Sequence, residues 1–448
     1  MWLPVKSGAV LACVLPGMLL SVEALAESSD SGFLKGSSLT LDTRHWYSKE
    51  IGRRDTVYRY RTDDGPRFSH DRVAWQQGFK LGFISGYTPG TVGVGLDLAA
   101  YSVVALERNP ADAAGGSNRM LVNSDGDVEP SWSRLGVAAL KLRMAESELK
   151  IGRHQVANPV MNFSDTRTVP ASFDGWSFEN SSIKGLVLKS GYFSKMAPRY
   201  AAGTEPIGLQ YAMRPVSSDW TAYAGGDYTS AGGLKSSVYV SRIQDIWDRE
   251  YLGIGRDFKT GEIKTSVKLS AYNTQSSGKQ EAGYIDQQAY GLTVIPSFKN
   301  HTVEFGLQKI VGDEFFDYVK ESNAISLPNT MVSYFNGPNE TSFQVKYIND
   351  WAAYGVPGFK SILWHTRGWG IDGTGYNAGS KGVYTASPLQ DNEHHNETGV
   401  FASYTVQAAE LKGANILAGY AWHRASSHQV EGNFDELRVI VKIPVSLF

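Results

Sequence analysis

The chain has 448 residues, with 43 Lys and Arg against 45 Asp and Glu, and a formal net charge of -2, so it has no general attraction for nucleic acid or acidic surfaces. Its 47 Gly and 23 Tyr, with few helix-periodic stretches, point to an all-β chain. After the N-terminal segment no apolar run reaches the roughly 18 residues of a spanning helix, which excludes a helical membrane protein but not a barrel, whose strands face lipid with alternate residues only.

Lys6, an apolar stretch from Gly8 to Leu20 and the small-residue site Ala24-Leu25-Ala26 predict a cleaved secretory signal over residues 1–26 and a mature chain over 27–448. The apolar stretch is short for a retained membrane helix and contains Pro16. Its removal takes Cys13, the only cysteine, so no disulfide is available to the mature chain.

Period two then recurs to the end of the chain. Leu39, Leu41 and Thr43 alternate with Thr40, Asp42 and Arg44; Phe79, Leu81 and Phe83 alternate with Gly78, Lys80 and Gly82. Val92, Val94, Leu96 and Leu98 oppose Gly93, Gly95 and Asp97. The same pattern sets Val267, Leu269 and Ala271 against Ser266, Lys268 and Ser270, and Val303, Phe305 and Leu307 against Thr302, Glu304 and Gly306. Phe343, Val345 and Tyr347 oppose Gln344 and Lys346, and the final run from Arg438 to Leu447 alternates until Phe448 ends it on the less apolar phase.

Allowing about 22 to 25 residues per strand and connection gives about 17 to 19 strands, the size of a large transmembrane antiparallel β-barrel. Pro296–Asn300 reads as a short turn, whereas 109–130, 273–286 and 373–398 are polar and read as long outer loops. A cation facing lipid near mid-membrane costs about 2 to 4 kcal/mol, so Arg44, Lys80, Lys141, Arg143, Lys264, Lys268, Lys346, Arg438 and Lys442 are expected to point inward or to sit near an interface. Closure of the barrel would bring Arg44 near Arg438 and Lys442. The inner cations could form an anion pathway or could pair with inner acids such as Asp42, Asp97 and Glu304, and the sequence leaves both open.

Other motifs carry less. Gly368-Trp369-Gly370-Ile371-Asp372-Gly373 matches a dinucleotide fingerprint in letters but opens no helix. His394 and His395 beside Glu393 and Glu397 offer ligand atoms, yet they fall in what reads as a polar outer loop, so neither metal nor cofactor is expected. No nucleophile-elbow pattern occurs, and the chain is expected not to be an enzyme; an outer-membrane barrel hydrolase is the different-class alternative, with a soluble sandwich-type binding protein behind it.

The chain resembles the OprD (Occ) family of substrate-specific outer-membrane channels over essentially the whole mature length. The likeness rests on Arg54-Asp55, on Ser85-Gly86-Tyr87-Thr88-Pro89-Gly90, on Glu148-Leu149-Lys150-Ile151-Gly152-Arg153 leading to Asn158-Pro159-Val160, and on the more specific Phe335-Asn336-Gly337-Pro338-Asn339-Glu340 with Gly355-Val356-Pro357-Gly358. Gln407, Leu411-Lys412, Glu436-Leu437-Arg438 and Pro444 to Phe448 continue it. Trp364-His365 departs from the Arg-Tyr pair common in the family, which puts that part of the pore lining in question.

The resemblance implies a monomeric barrel of 18 strands, an inward-folded third outer loop and a basic row that passes carboxylate-bearing solutes. His154 to Gly175 corresponds to that constricting loop, with His154, Asp165, Arg167 and Ser172 as candidates for a transverse field. Asp313, Glu314, Asp317 and Glu321 form a candidate acidic patch for a substrate amino group. The expected activity is passive, selective passage of small carboxylates, aromatic or cyclic monocarboxylates above all, with basic amino acids and short peptides as the alternative. Expected partners are outer-membrane lipid and lipopolysaccharide, and the barrel-assembly machinery through the last strand ending in Phe448.

Overall fold

The computed structural model of the chain describes residues 32–62, 64–113, 129–323, 326–408 and 411–448. The expected signal over 1–26, with Cys13, lies outside them, as does most of the loop expected at 109–130.

Eighteen long strands run as one antiparallel meander. They are β1 Ser38–Gly52, β2 Asp71–Ile84, β3 Val92–Ala105, β4 Ser131–Met144, β5 Ser147–His154, β6 Ser172–Asn180, β7 Leu186–Ala197, β8 Thr221–Thr229 and β9 Leu234–Ile243. The second half comprises β10 Trp247–Thr260, β11 Ile263–Ser276, β12 Asp286–Phe298, β13 His301–Val311, β14 Thr341–Asp350, β15 Phe359–Ile371, β16 Glu393–Thr405, β17 Asn415–Ala425 and β18 Phe434–Ser446. Each pairs with the next, and β18 returns to β1, setting Lys442 opposite Arg44 and Arg438 opposite Ser48. The sheet is therefore closed and leaves no bare edge in lipid. Two short strands, Glu205–Gly208 and Ser217–Ser218, extend it within the β7–β8 loop.

The alternation maps directly onto this wall. Phe79, Leu81, Leu269, Leu307, Phe343 and Val445 are exposed on the outside, while Gly93, Gly95, Gln344, Lys346 and Arg438 are buried on the inside. A barrel reverses the soluble rule because its solvent outside is hydrocarbon.

Inward-facing aromatic rings lie across glycines of the next strand. A Cβ on Gly136 would fall within the Tyr101 ring, one on Gly399 within the Trp364 ring and one on Gly419 within the Phe401 ring. Gly399→Val is expected to expel Trp364 at a cost of about 1–3 kcal/mol, measured as a lower temperature for loss of the compact gel band. Gly203→Ala, with nothing within 4 Å of the added carbon, should leave that temperature unchanged; equal transitions in the two variants would refute the packing role.

Two-residue turns join β4–β5, β10–β11 and β12–β13, and their first residues Ala145, Gly261 and Lys299 have φ of +48°, +60° and +52°. Such left-handed turns match the twist of a hairpin. The last is shorter than the expected Pro296–Asn300, because β12 continues through Pro296 to Phe298. Register with β13 skips from Val294–Phe305 to Ser297–Thr302, where proline has no N–H to give. The loop expected at 373–398 also ends early: β16 starts at Glu393, and Glu393 to Thr398 is strand. Likewise β11 runs to Ser276, past the start of the loop expected at 273–286.

Long loops gather at the end opposite these turns. Phe315, Phe316 and Tyr384 from the loops after β13 and β15 pack with Phe193, Trp247 and Tyr272 of the wall in one buried cluster. Apolar loop residues thus fill one side of the lumen, and a polar cavity is left beside them.

Candidate functional site

The third outer loop, residues 155–171 between β5 and β6, folds into the barrel. Arg44 of β1 grips it: Nη1 donates to Asp165 Oδ1 at 2.7 Å, Nη2 to Oδ2 at 2.9 Å, and Nη1 also donates to the Arg167 carbonyl. Thr168 Oγ1 donates to Gln76 of β2 at 3.0 Å, and Ser164 N donates to the Glu321 carbonyl at 3.2 Å. Burial would raise the Asp165 carboxyl, but the Arg44 guanidinium beside it outweighs burial and holds it below the usual carboxylate range.

The loop is shorter than the expected His154–Gly175, because the β5–β6 ladder runs as far as His154–Phe173. Two of its candidate residues are consequently wall residues. His154 Nε2 lies 2.7 Å from Ser177 Oγ, and the buried Ser172 hydroxyl donates to the Gly136 carbonyl at 2.6 Å. Asp165 and Arg167 are the two that the inward loop itself carries.

Above and around the loop lies a cavity of about 2200 Å³. Arg167 and Arg438 line it, joined by Arg72 and Arg199. Carboxylates hold several of these cations in place: Arg438 Nε meets Glu436 at 2.7 Å, Arg199 Nε meets Glu321 at 2.7 Å, and Arg72 pairs with Glu50. The guanidinium carbons of Arg167 and Arg438 stand 5.9 Å and 5.5 Å from the centre of one Trp46 ring. Burial, with the nearby charges of Arg199 and Arg438, pulls the Arg167 guanidinium down to about 9, still protonated at neutral pH. The cavity wall thus interleaves guanidiniums with carboxylates.

The rest of the basic row divides. Lys80 pairs with Asp42 at 3.4 Å, Lys141 with Asp97 at 2.8 Å and Lys346 with Glu304 at 2.7 Å, so for these three the pairing with inner acids is realised. Arg143 lies 4.5 Å from the centre of the Tyr87 ring. Lys264 and Lys268 are exposed on β11, and Lys442 stands opposite Arg44 across the closing seam.

The acidic patch is not assembled as a lumen face. Asp317 is buried; its Oδ1 accepts from the backbone N–H groups of Gln210, Tyr211 and Tyr318 at 3.0, 2.9 and 2.7 Å, and its Oδ2 accepts from the Tyr384 hydroxyl at 3.2 Å. Burial nevertheless pushes its carboxyl up to about 7. Asp313 accepts from Asn339 Nδ2 at 2.9 Å, and Glu314 accepts from Asp286 N at 2.7 Å. These groups staple loops together, and Glu321 is the member that reaches the cavity.

Sequence reasoning missed Arg72 and Arg199. Arg72 could have been found by carrying the inner phase of Gly78, Lys80 and Gly82 back along β2. Arg199 follows Pro198 in a loop, where period two gives no signal. Of the departing pair, Trp364 is buried inward and its Nε1 donates to Glu397 at 2.8 Å, while His365 points outward. His395, expected in a loop, is a buried inward residue of β16.

A family model described as outer membrane porin, OprD family, matches residues 31–447. Porin D of Pseudomonas aeruginosa is 31% identical over 432 residues, covering 94% of this chain and 93% of the relative. The crystal structure of Pseudomonas aeruginosa OccD3 (OpdP) is similar with a TM-score of 0.81 at 36% identity, covering 93% of each chain. That of Pseudomonas aeruginosa OpdK with vanillate gives 0.80 at 28% identity, covering 93% of this chain and 100% of the other. A closed barrel of this size with an inward third loop, matched in sequence from end to end, places the chain in the OprD family of outer-membrane porins, which are channels and not enzymes.

Proposed function

We propose that this outer-membrane channel passes small carboxylate-bearing solutes down their gradient, aromatic or cyclic monocarboxylates above all. The observation that carries the reading is the convergence of Arg167, Arg199 and Arg438 on one cavity, with Arg167 on the constricting loop. A carboxylate can exchange between such guanidiniums, of which Arg199 and Arg438 are each held by an acid, drawn in by their charge without being trapped by any one. OpdK, a structural relative, has been crystallised with vanillate, itself an aromatic carboxylate. The basic row along the wall, from Lys80 and Lys141 near the turn end to Arg44 and Lys442 at the seam, would continue the path.

A second reading is favoured by Glu50, Glu205, Glu321, Glu431 and Glu436 lining the same cavity. Acids and guanidiniums on one surface suit a solute with both an amino and a carboxylate group, such as a basic amino acid or short peptide. We further propose export through the signal at 1–26, assembly through the strand ending in Phe448, and a monomer in outer-membrane lipid and lipopolysaccharide.

Uptake of benzoate and of arginine into liposomes carrying the purified protein tests the choice. Benzoate entering several-fold faster than arginine is expected; the reverse order would move the selectivity to the acids, and entry of neither above protein-free liposomes would refute both readings.

A further inference from the structure

At the loop-side rim of the barrel two imidazoles face each other. His395 of β16 and His423 of β17 are diagonal neighbours on the inner face, since Ala425 is opposite His395 and Glu397 is opposite His423. His395 Nδ1 lies 2.9 Å from His423 Nε2. Each ring is held from behind: Glu340 Oε1 is 2.8 Å from His395 Nε2, and the Gly432 carbonyl is 2.7 Å from His423 Nδ1.

Proton accounting makes this pair unusual. A carbonyl oxygen only accepts, so His423 carries its hydrogen on Nδ1 and turns the Nε2 lone pair toward His395. A carboxylate at Glu340 likewise draws the His395 hydrogen to Nε2 and leaves a lone pair on Nδ1. With Glu340 ionised two lone pairs face each other, and either a shared proton or a metal ion satisfies both.

A third donor lies beside them. Glu431 Oε2 is 3.9 Å from His423 Nε2, is buried and has no hydrogen-bond donor among the described residues. The ligand atoms of His395, His423 and Glu431 all lie within 4.8 Å of one another. Glu340, Glu397 and Glu431 bring three carboxyl groups to this corner, and none forms an ion pair with Lys or Arg among the described residues.

The surroundings are shaped for the arrangement. A Cβ on Gly368 would overlap the Glu340 carboxylate and come within 2.8 Å of the His395 ring, so this glycine of the discounted fingerprint makes room for the pair. Phe335 and Phe434 stand 4.2 Å and 5.0 Å from the two imidazoles and keep the corner apolar. Glu431 borders the lumen cavity, which supplies an entry path.

We propose that His395, His423 and Glu431 bind a divalent first-row transition ion, represented by Zn²⁺, at the rim of the lumen. Two imidazoles and one carboxylate are a donor set that zinc takes, with a fourth position left for water from the cavity. Glu340 and the Gly432 carbonyl orient the two rings, as outer partners do around bound metals. The ion would bind the loop at 426–433 to β16 and β17 and take the Glu431 charge out of the lumen.

Equilibrium dialysis of tag-free, full-length protein against Zn²⁺ at neutral pH, read by elemental analysis, tests the site. One Zn²⁺ per chain is expected, with affinity falling about 100-fold in His423→Ala and about 10-fold or more in Glu431→Gln and Glu340→Gln. His394→Ala, on the outward face, should bind as wild type. Compact gel mobility checks each fold, and Glu431→Gln, in a loop, gives a variant that keeps the barrel. Absence of bound Zn²⁺ in the wild type would mean that a shared proton satisfies the imidazoles and would overturn the proposal. Wild-type affinity in both His423→Ala and Glu431→Gln would place any bound zinc elsewhere and overturn it too.

Discussion

Asp165→Ala is expected to raise the single-channel conductance at least twofold and to weaken discrimination between solutes, while the compact gel band persists. Asp165 is the group that Arg44 holds through both guanidinium nitrogens, at 2.7 and 2.9 Å, and both side chains are largely buried. Removing one partner of a buried pair typically costs about 3–5 kcal/mol, because the other charge is left without compensation. The loop would retain the Thr168–Gln76 hydrogen bond and its contacts with residues 321 and 322, anchors of about 1 kcal/mol each. Arg44 is expected to swing into the lumen water, and the loop to leave the axis. Wild-type conductance in a folded Asp165→Ala channel would show that packing, not this pair, holds the constriction.

Arg167→Gln should lower benzoate uptake about tenfold with little change in the size of the opening, and Arg167→Glu should reverse the preference between anions and cations. One unit charge at about 4 Å is worth about 1 kcal/mol in bulk water and about 4 kcal/mol at the effective dielectric of a protein surface, and the water-lined cavity lies toward the lower figure. The conservative change keeps most of the side-chain volume beside Trp46, so a loss of flux would come from charge. Reversal potentials under a salt gradient read the sign directly. A Glu variant with unaltered ion preference would remove Arg167 from the pathway.

How far the letters carried depended on the kind of contact. Faces were legible wherever lipid imposes an apolar phase: Leu269 against Lys268 and Phe343 against Gln344 needed only period two. The phase fails where a strand rises past the apolar band. Glu393-His394-His395-Asn396-Glu397 is polar on both faces and read as loop, although its ladder with Ala425 to His423 is regular. Partners were hidden because they depend on register or on loops. Lys141 finds Asp97 across a hairpin whose connection is long, and Arg44 finds Asp165 more than a hundred residues away. Asp317 read as an exposed acid, but three backbone N–H groups from two segments enclose it. Nothing local in its neighbourhood encodes that.

The closing register of β1 with β18 has a consequence for how the molecule is made. Seventeen of the eighteen seams join strands adjacent in the chain, and the one that remains joins residues about four hundred apart. Until it forms, every intermediate presents two rows of unpaired peptide groups, which hydrocarbon cannot solvate. The ladder from Gly52–Phe434 to Thr40–Ser446 is thus a clasp. A chain truncated by even its last strand should not yield a slightly smaller pore; it should yield material that never settles in the bilayer.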